Sequence, residues 1–256
     1  MICVECGHDV SDVYKEFSRG SFRLTRCDRC RKTADKYVEF ELMLVIIDLI
    51  LQKAQVYRHL LFNQLPTVEP TLLHRTILKL VPGILFFDVY LHWHRLRLHY
   101  SVRRPALVVF DVAPFDRYAS LFWIATAHLF VYIVVIVVAT RLLYGKGMAR
   151  RVPAVARPTP ASDCDAGVDY GQLVRSIVIS SFGKLLVVLM MIWESNAYYG
   201  PIVNLFVLTS NVTALRVFLK TTLLKSVCII SAAVVAKICL QLVIVALDPG
   251  MIVTVL

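Results

Sequence analysis

The chain of 256 residues is missing the signatures that most often announce an enzyme. It has no G-x-x-x-x-G-K-S/T phosphate loop, no G-x-G-x-x-G after a strand, no H-E-x-x-H and no G-x-S-x-G. His92, His94 and His99 lie close together, but no acidic or cysteine ligands adjoin them. With no nucleophile–base pair in a recognisable context, a non-enzymatic protein is expected. Acidic residues are few, 18 against 28 Lys and Arg, for a formal charge of +10. In a soluble domain that balance would suggest nucleic acid, and the head of this chain does carry Arg23, Arg26, Arg29, Arg31 and Lys32. Most basic residues, however, fall in loops between apolar segments, which fits anionic lipid headgroups and the positive-inside rule. No nucleic-acid partner is therefore expected. A thioredoxin-like βαβ pattern and a cleavable signal peptide ahead of the first cysteines are also missing, which argues against redox and disulfide roles for those cysteines.

What the chain does have is apolar length. The hydrophobic fraction is 58% and the mean hydropathy +0.67, well beyond a globular domain. The expected fold class is an α-helical multi-pass membrane protein with a small N-terminal four-cysteine zinc-ribbon head and an amphipathic interfacial helix. Ala119–Thr140 is the clearest span, uncharged and containing Trp123 and His128. Leu173–Trp193, Ile202–Leu219 and Ser226–Leu247 read as three more, and Leu72–Trp93 either crosses with a kink at Pro82-Gly83 or enters and returns. The expected organisation is a zinc ribbon at 1–36, an amphipathic helix at 37–63, first membrane helices with a basic loop at 72–140, a flexible Pro-rich linker at 141–171, and a three-helix membrane region at 172–256. Cys228 and Cys239 read as packing residues of an apolar segment.

The head is defined by Cys3-x-x-Cys6 and Cys27-x-x-Cys30. Two such turns aim four thiolates at one cation, and a segment this short cannot build its own core. Structural zinc is expected on Cys3, Cys6, Cys27 and Cys30, a closed site with no position for a catalytic water. Gly7 supplies a permissive backbone after the first pair, and Tyr14, Phe17, Phe22 and Leu24 suffice for a short hairpin.

Beyond the head, Glu41, Asp48, Gln52, Gln55 and His59 recur at helical spacing along Tyr37–Phe62, which predicts one continuous amphipathic helix. Three placements satisfy that pattern: the helix lies in the bilayer interface, it packs on the membrane body with its polar stripe wet, or it is buried against the head. Charges and polar groups also recur inside the apolar segments. Lys184, Ser181, Asn204, Thr209, Ser210, Asn211 and Arg216, with Lys237, are expected to face the bundle interior, since each unpaired charge costs at least about 2.5–3.5 kcal/mol in a bilayer. Asp48, Asp88 and Glu194 are the acidic partners on offer. These groups form either a polar cavity for lipid or a partner, or glue between helices.

The basic loops 141–175 and 220–225 place those segments in the cytosol, with the 194–201 turn and the C-terminus in the lumen. A cytosolic head then requires 72–93 to cross, which sets the basic 94–117 loop on the lumenal side against the rule. Five crossings, or three with a re-entrant pair, are the two arrangements.

The cysteine pairs, the run Asp35-Lys36-Tyr37-Val38-Glu39 and the run from Lys53 to Asn63 resemble the homology domain of the Arv family. Ser181-Phe182-Gly183-Lys184, Val207-Leu208-Thr209-Ser210-Asn211 and Ala214-Leu215-Arg216-Val217 resemble it as well. The resemblance implies an endoplasmic-reticulum membrane protein of lipid homeostasis, linked to sterol distribution, sphingolipid balance and early glycosylphosphatidylinositol (GPI) anchor synthesis. It implies membrane lipids (sterols, sphingolipids and GPI precursors) as partners, with subunits of the GPI N-acetylglucosaminyltransferase complex as the alternative. It carries no catalytic residues.

Overall fold

The computed structural model describes residues 1–18, 21–39, 42–64, 80–94, 114–144, 170–187 and 199–247. The expectations for the 94–117 loop, the 141–171 linker, the 194–201 turn and Glu194 fall largely or wholly outside these residues.

The head is built from two matching knuckles. In the first, the Cys3 N–H donates to the His8 carbonyl and the Gly7 N–H to the Cys3 carbonyl. In the second, the Cys27 N–H donates to the Lys32 carbonyl and the Arg31 N–H to the Cys27 carbonyl. Single bridges, Ile2 with Asp9 and Arg26 with Thr33, close each one. Both knuckles need a left-handed residue directly after the second cysteine, Gly7 at φ 72° and Arg31 at φ 59°. Glycine adopts that conformation freely, whereas arginine adopts it at a cost. Between the knuckles, β1 (Tyr14–Ser18) pairs antiparallel with β2 (Ser21–Leu24), Tyr14 opposite Leu24.

After the head, the expected single helix is broken. Helix α1 spans Leu42–Ile50 and α2 spans Ala54–Arg58, which runs on as a π-turn from His59 to Gln64. Gln52 interrupts the helix in a left-handed conformation, φ 53°. Its side-chain amide donates to the Phe206 carbonyl at 3.1 Å and to the Thr209 hydroxyl at 2.8 Å. Docking of this one side chain outweighs helical continuity. Two members of the polar stripe, Asp48 and His59, are buried rather than wet. The exposed surface of this region is apolar instead: Leu42, Met43, Ile46, Ile47, Ile50 and Leu51.

The body is helical. Residues 80–94 form α3, followed by α4 (Pro114–Tyr144), α5 (Tyr170–Ser180), α6 (Tyr199–Leu219) and α7 (Leu223–Leu247). Among the described residues, three helices are long and apolar enough to cross a membrane: Tyr118–Tyr144, Gly200–Leu219 and Leu223–Leu247. They contain the expected spans 119–140, 202–219 and 226–247. The expected span Leu173–Trp193 is different. Its α-helix ends at Ser180 and tightens into a 3-10 segment, Ser181–Leu186. Ser181 donates back to the Ile177 carbonyl, competing for the helical ladder where it changes. Residues 188–193 lie outside the description.

One core joins the head to the body. Ile2, Val4 and Tyr37 share it with Tyr57, Leu61 and Phe62, and with Leu215 and Phe218 of α6. The Phe62 and Phe218 rings stack at 6.4 Å. Burying aromatic side chains of this size is worth roughly 1.5–3 kcal/mol each. Helix α7 packs along α4 and α6. Cys228 and Cys239 are exposed on α7, so they are surface groups rather than the packing residues expected.

Candidate functional site

The four cysteine sulfurs all lie within 4.8 Å of one another. The Cys3–Cys30 separation is 3.7 Å and the Cys6–Cys27 separation 3.6 Å. A tetrahedral cation with metal–sulfur bonds of about 2.3 Å sets its sulfurs roughly 3.8 Å apart, so the donor set fits a metal ion, whereas a disulfide needs about 2.05 Å. The Cys30 backbone N–H is the largest influence on Cys27 and draws its thiol down to about 7. Burial pushes the Cys3 thiol up to about 12. A bound cation would deprotonate both. His8 and Asp28 are exposed at the margin of the cluster.

The head also holds a satisfied buried carboxylate. Asp35 is fully buried. It accepts from the Tyr37 N–H at 3.0 Å and the Asn63 amide at 2.7 Å, and it pairs with His59 Nδ1 at 2.7 Å. Asn63 in turn accepts from the Ile2 N–H and donates to the Ile2 carbonyl, both at 2.9 Å. The residue before Cys3 is thereby tied to the end of the α2 π-turn. Arg58 adds two bonds, to the Val4 and Glu5 carbonyls at 2.6 and 2.9 Å. Asp48 accepts from Tyr37 Oη at 2.7 Å and Lys53 Nζ at 2.6 Å. Burial would raise this carboxyl, but those two bonds and the charges of Lys53 and Lys36 hold it below the usual carboxylate range. Burial, then the bond to Asp48, pushes the Tyr37 phenol up, so it remains a donor.

A polar seam runs from this unit into the helical body. Tyr57 Oη and Ser210 Oγ lie 2.7 Å apart, and Ser210 donates to the Ser180 carbonyl at 2.7 Å. Ser180 donates to Asn211 Oδ1 at 2.5 Å, and Asn211 Nδ2 donates to Tyr132 Oη at 2.9 Å. Helix α6 is thus linked to α2, α5 and α4. Gly183 makes the α6 approach possible, because a Cβ there would sit 2.5 Å from Phe206 Cδ1.

At the far end of the seam is a cavity of about 200 Å3, with Asn211, Tyr132, Ser181 and Asn204 in its wall. Asp88 from α3, Lys184 from the 3-10 segment and Lys237 from α7 supply its charge. Lys184 Nζ donates to Asp88 Oδ2 at 2.5 Å, and only 11% and 10% of the two side chains are exposed. The structure therefore selects Asp88 as the partner of Lys184. Lys237 lies 5.8 Å from the centre of the Tyr132 ring. His128 is buried nearby on α4, its ring 5.6 Å from that of His92, and His92 Nδ1 is 2.7 Å from the Asp88 carbonyl.

Of the residues expected to face the interior, Lys184, Ser181, Asn204 and Asn211 share this cavity. Ser210 is buried one step along the seam. Thr209 and Arg216 are exposed, which corrects the inward placement expected for them. Thr209 points to Gln52, and Arg216 lies on the outer face of α6. Tyr57, Tyr132 and the Asp35–His59–Asn63 cluster were not expected. The available signal was a set of single polar residues within otherwise apolar runs, each needing a partner.

Comparison with known proteins places this architecture. The model of the Arv1-like family matches residues 2–215. The "Protein arv1 homolog" of Dictyostelium discoideum is 40% identical over 260 residues, covering 98% of each chain. "Protein ARV 2" of Arabidopsis thaliana is 30% identical over 91% of this chain and 90% of its own. "Protein ARV1" of Mus musculus is 30% identical over 86% of this chain and 74% of its own. No solved structure matches.

Proposed function

This chain belongs to the Arv1-like family, and from that premise we propose that it is a multi-pass endoplasmic-reticulum membrane protein that binds or moves lipid and so maintains lipid homeostasis. The processes served are sterol distribution and transport, sphingolipid balance and early GPI-anchor synthesis. The protein does this without catalysing a reaction of its own. Its cysteine cluster carries structural zinc, and its head lies on the cytosolic side, with the C-terminus lumenal. The observation that carries the reading is the cavity between α4, α6 and α7. There a buried Lys184–Asp88 pair opens onto space large enough for a headgroup, amid helices of membrane-spanning length.

The apolar surface of α1 supports membrane attachment of the head. Met43 and Leu42 are 68% and 71% exposed on a short helix, which suits acyl chains better than water. The same face also supports a second reading, a non-catalytic scaffold that stabilises a membrane glycosyltransferase complex of GPI-anchor synthesis.

Purification from native membrane, with lipids and proteins identified by mass spectrometry in the same sample, separates the two. Lipid handling predicts a retained lipid class that Lys184→Ala loses. A recurrent enzyme subunit with no retained lipid would favour the scaffold.

A further inference from the structure

The depth of α1 follows from its neighbours. The chain passes from the head into α1, turns at Gln52 and returns through α2 and its π-turn. The return leg climbs α6: Gln52 reaches Phe206 and Thr209, Tyr57 faces Ser210, and Phe62 stacks on Phe218. The outgoing leg starts beside the upper part of that climb, where the Tyr37 ring lies 5.2 Å from the His59 ring. Gln52 is therefore the far tip of a helical hairpin. Its contact Thr209 is nine residues past Gly200 and ten short of Leu219, the ends of a helix of membrane-crossing length. At 1.5 Å per residue the tip stands roughly 14–15 Å from either end, half the thickness of a hydrocarbon core of about 30 Å.

The tip also meets the chemical demands of that depth. Irregular backbone is tolerated in a bilayer only where its polar groups find partners within the protein. The N–H groups of Leu51, Gln52 and Lys53 donate to the carbonyls of Ile47, Leu49 and Asp48. The Gln52 side-chain amide is held by α6, and the Lys53 ammonium by the buried Asp48 carboxylate at 2.6 Å. Leu42, Met43, Ile46, Ile47, Ile50 and Leu51 are exposed, as are Ile202 and Leu205 of α6, at and below the height where Gln52 docks. We propose that α1 and its turn form a re-entrant element, with the exposed apolar stripe immersed in lipid acyl chains near the bilayer midplane and Gln52 as the anchor that holds it there. This rests on the multi-pass reading above and goes past simple attachment, since an interfacial helix sinks only about 5–10 Å into the headgroup boundary.

The experiment uses the full chain reconstituted in phosphatidylcholine vesicles. Each preparation contains one of two photoreactive phosphatidylcholines, with a diazirine at the end of an acyl chain or on the headgroup. Adducts are mapped by peptide mass spectrometry, with Val235, exposed at the centre of α7, as the reference for full depth. Residues 42–51 should take chain-end adducts at a yield comparable to that at Val235, and several times fewer headgroup adducts. Gln52→Ala, checked for folding by its thermal transition, should shift labelling of 42–51 toward the headgroup probe and leave Val235 unchanged. Unchanged labelling in that variant overturns Gln52 as the anchor. Headgroup adducts alone on 42–51, with Val235 labelled from the chain end, overturn the re-entrant placement and return α1 to the interface. Adducts from neither probe on 42–51 overturn it in favour of a face covered by protein, a second copy of this chain included. A Val235 peptide that the chain-end probe does not label overturns the multi-pass reading as well.

Discussion

Two of the three buried aspartates among the described residues, Asp35 and Asp88, divide the molecule. Asp35, in the head, is fully buried and has three hydrogen-bonding neighbours. Asp88, in the helical body, is 7% exposed, holds Lys184 and borders an open cavity. The first is a closed arrangement: its neighbours are fixed and nothing could be added without breaking it. The second leaves space beside its charge. A fully satisfied network specifies a structure, whereas a charged pair beside a cavity is able to exchange partners. The head therefore holds the closed arrangement, and the body holds a charged pair with space beside it.

That contrast can be broken most forcefully at Asp35. Asp35→Ala leaves His59 and Asn63 without their shared acceptor and should cost roughly 3–5 kcal/mol. Thermal unfolding of the full chain should show it, and Asp88→Asn should cost less. If the two losses are equal, the distinction between closed and open aspartates fails. Next in size is Gly183→Ala, whose added carbon would meet the Phe206 ring. Overpacking of this kind costs about 1–3 kcal/mol, and the transition temperature should fall with no change in metal content. Tyr57→Phe removes the hydroxyl facing Ser210 and should cost about 1 kcal/mol. Its sharper signature is faster amide exchange in both α2 and α6, since the seam joins them. Exchange confined to α2 would show that the seam does not transmit.

The smallest effect concerns pH. The folded Asp48 carboxyl titrates below its usual range, so its contribution is present above the unfolded value of about 3.9 and is lost as pH falls through the folded value. Its partner Lys53 is 43% exposed, so solvent screens much of the effect. Protection of α1 amides should drop in acid, and Asp48→Asn should remove that dependence.

The head was legible in the sequence because its chemistry is local. Four cysteines at two short spacings determine the cluster, and Gly7 marks one of its left-handed turns. Arg31, the equivalent turn residue in the second knuckle, carries no such mark, so the repeat was hidden. The long apolar runs likewise announced three helices. What could not be read was anything decided by contact between distant segments. The spacing from Glu41 to His59 fits one helix, and only the α6 atoms that receive Gln52 explain the break there. For the same reason the sequence leaves wet and buried placements of the polar stripe both open, and only the partners Tyr37 and Asp35 account for the burial of Asp48 and His59. Lys184 had three acidic candidates in sequence, and only the packing of α3 chose Asp88.

The four-cysteine head, stapled by zinc on the reading proposed above, is docked onto the helical body through α2. The most direct measurement is the zinc content of the purified full chain, followed by amide exchange before and after chelation. One zinc per chain is expected. Its removal should release the amides of the two knuckles and of residues 54–64, on the order of 10 kcal/mol of ordering energy being at stake, while α4 and α7 stay protected. A chain without metal, or one whose knuckle and α2 amides stay protected after the metal is gone, would contradict it.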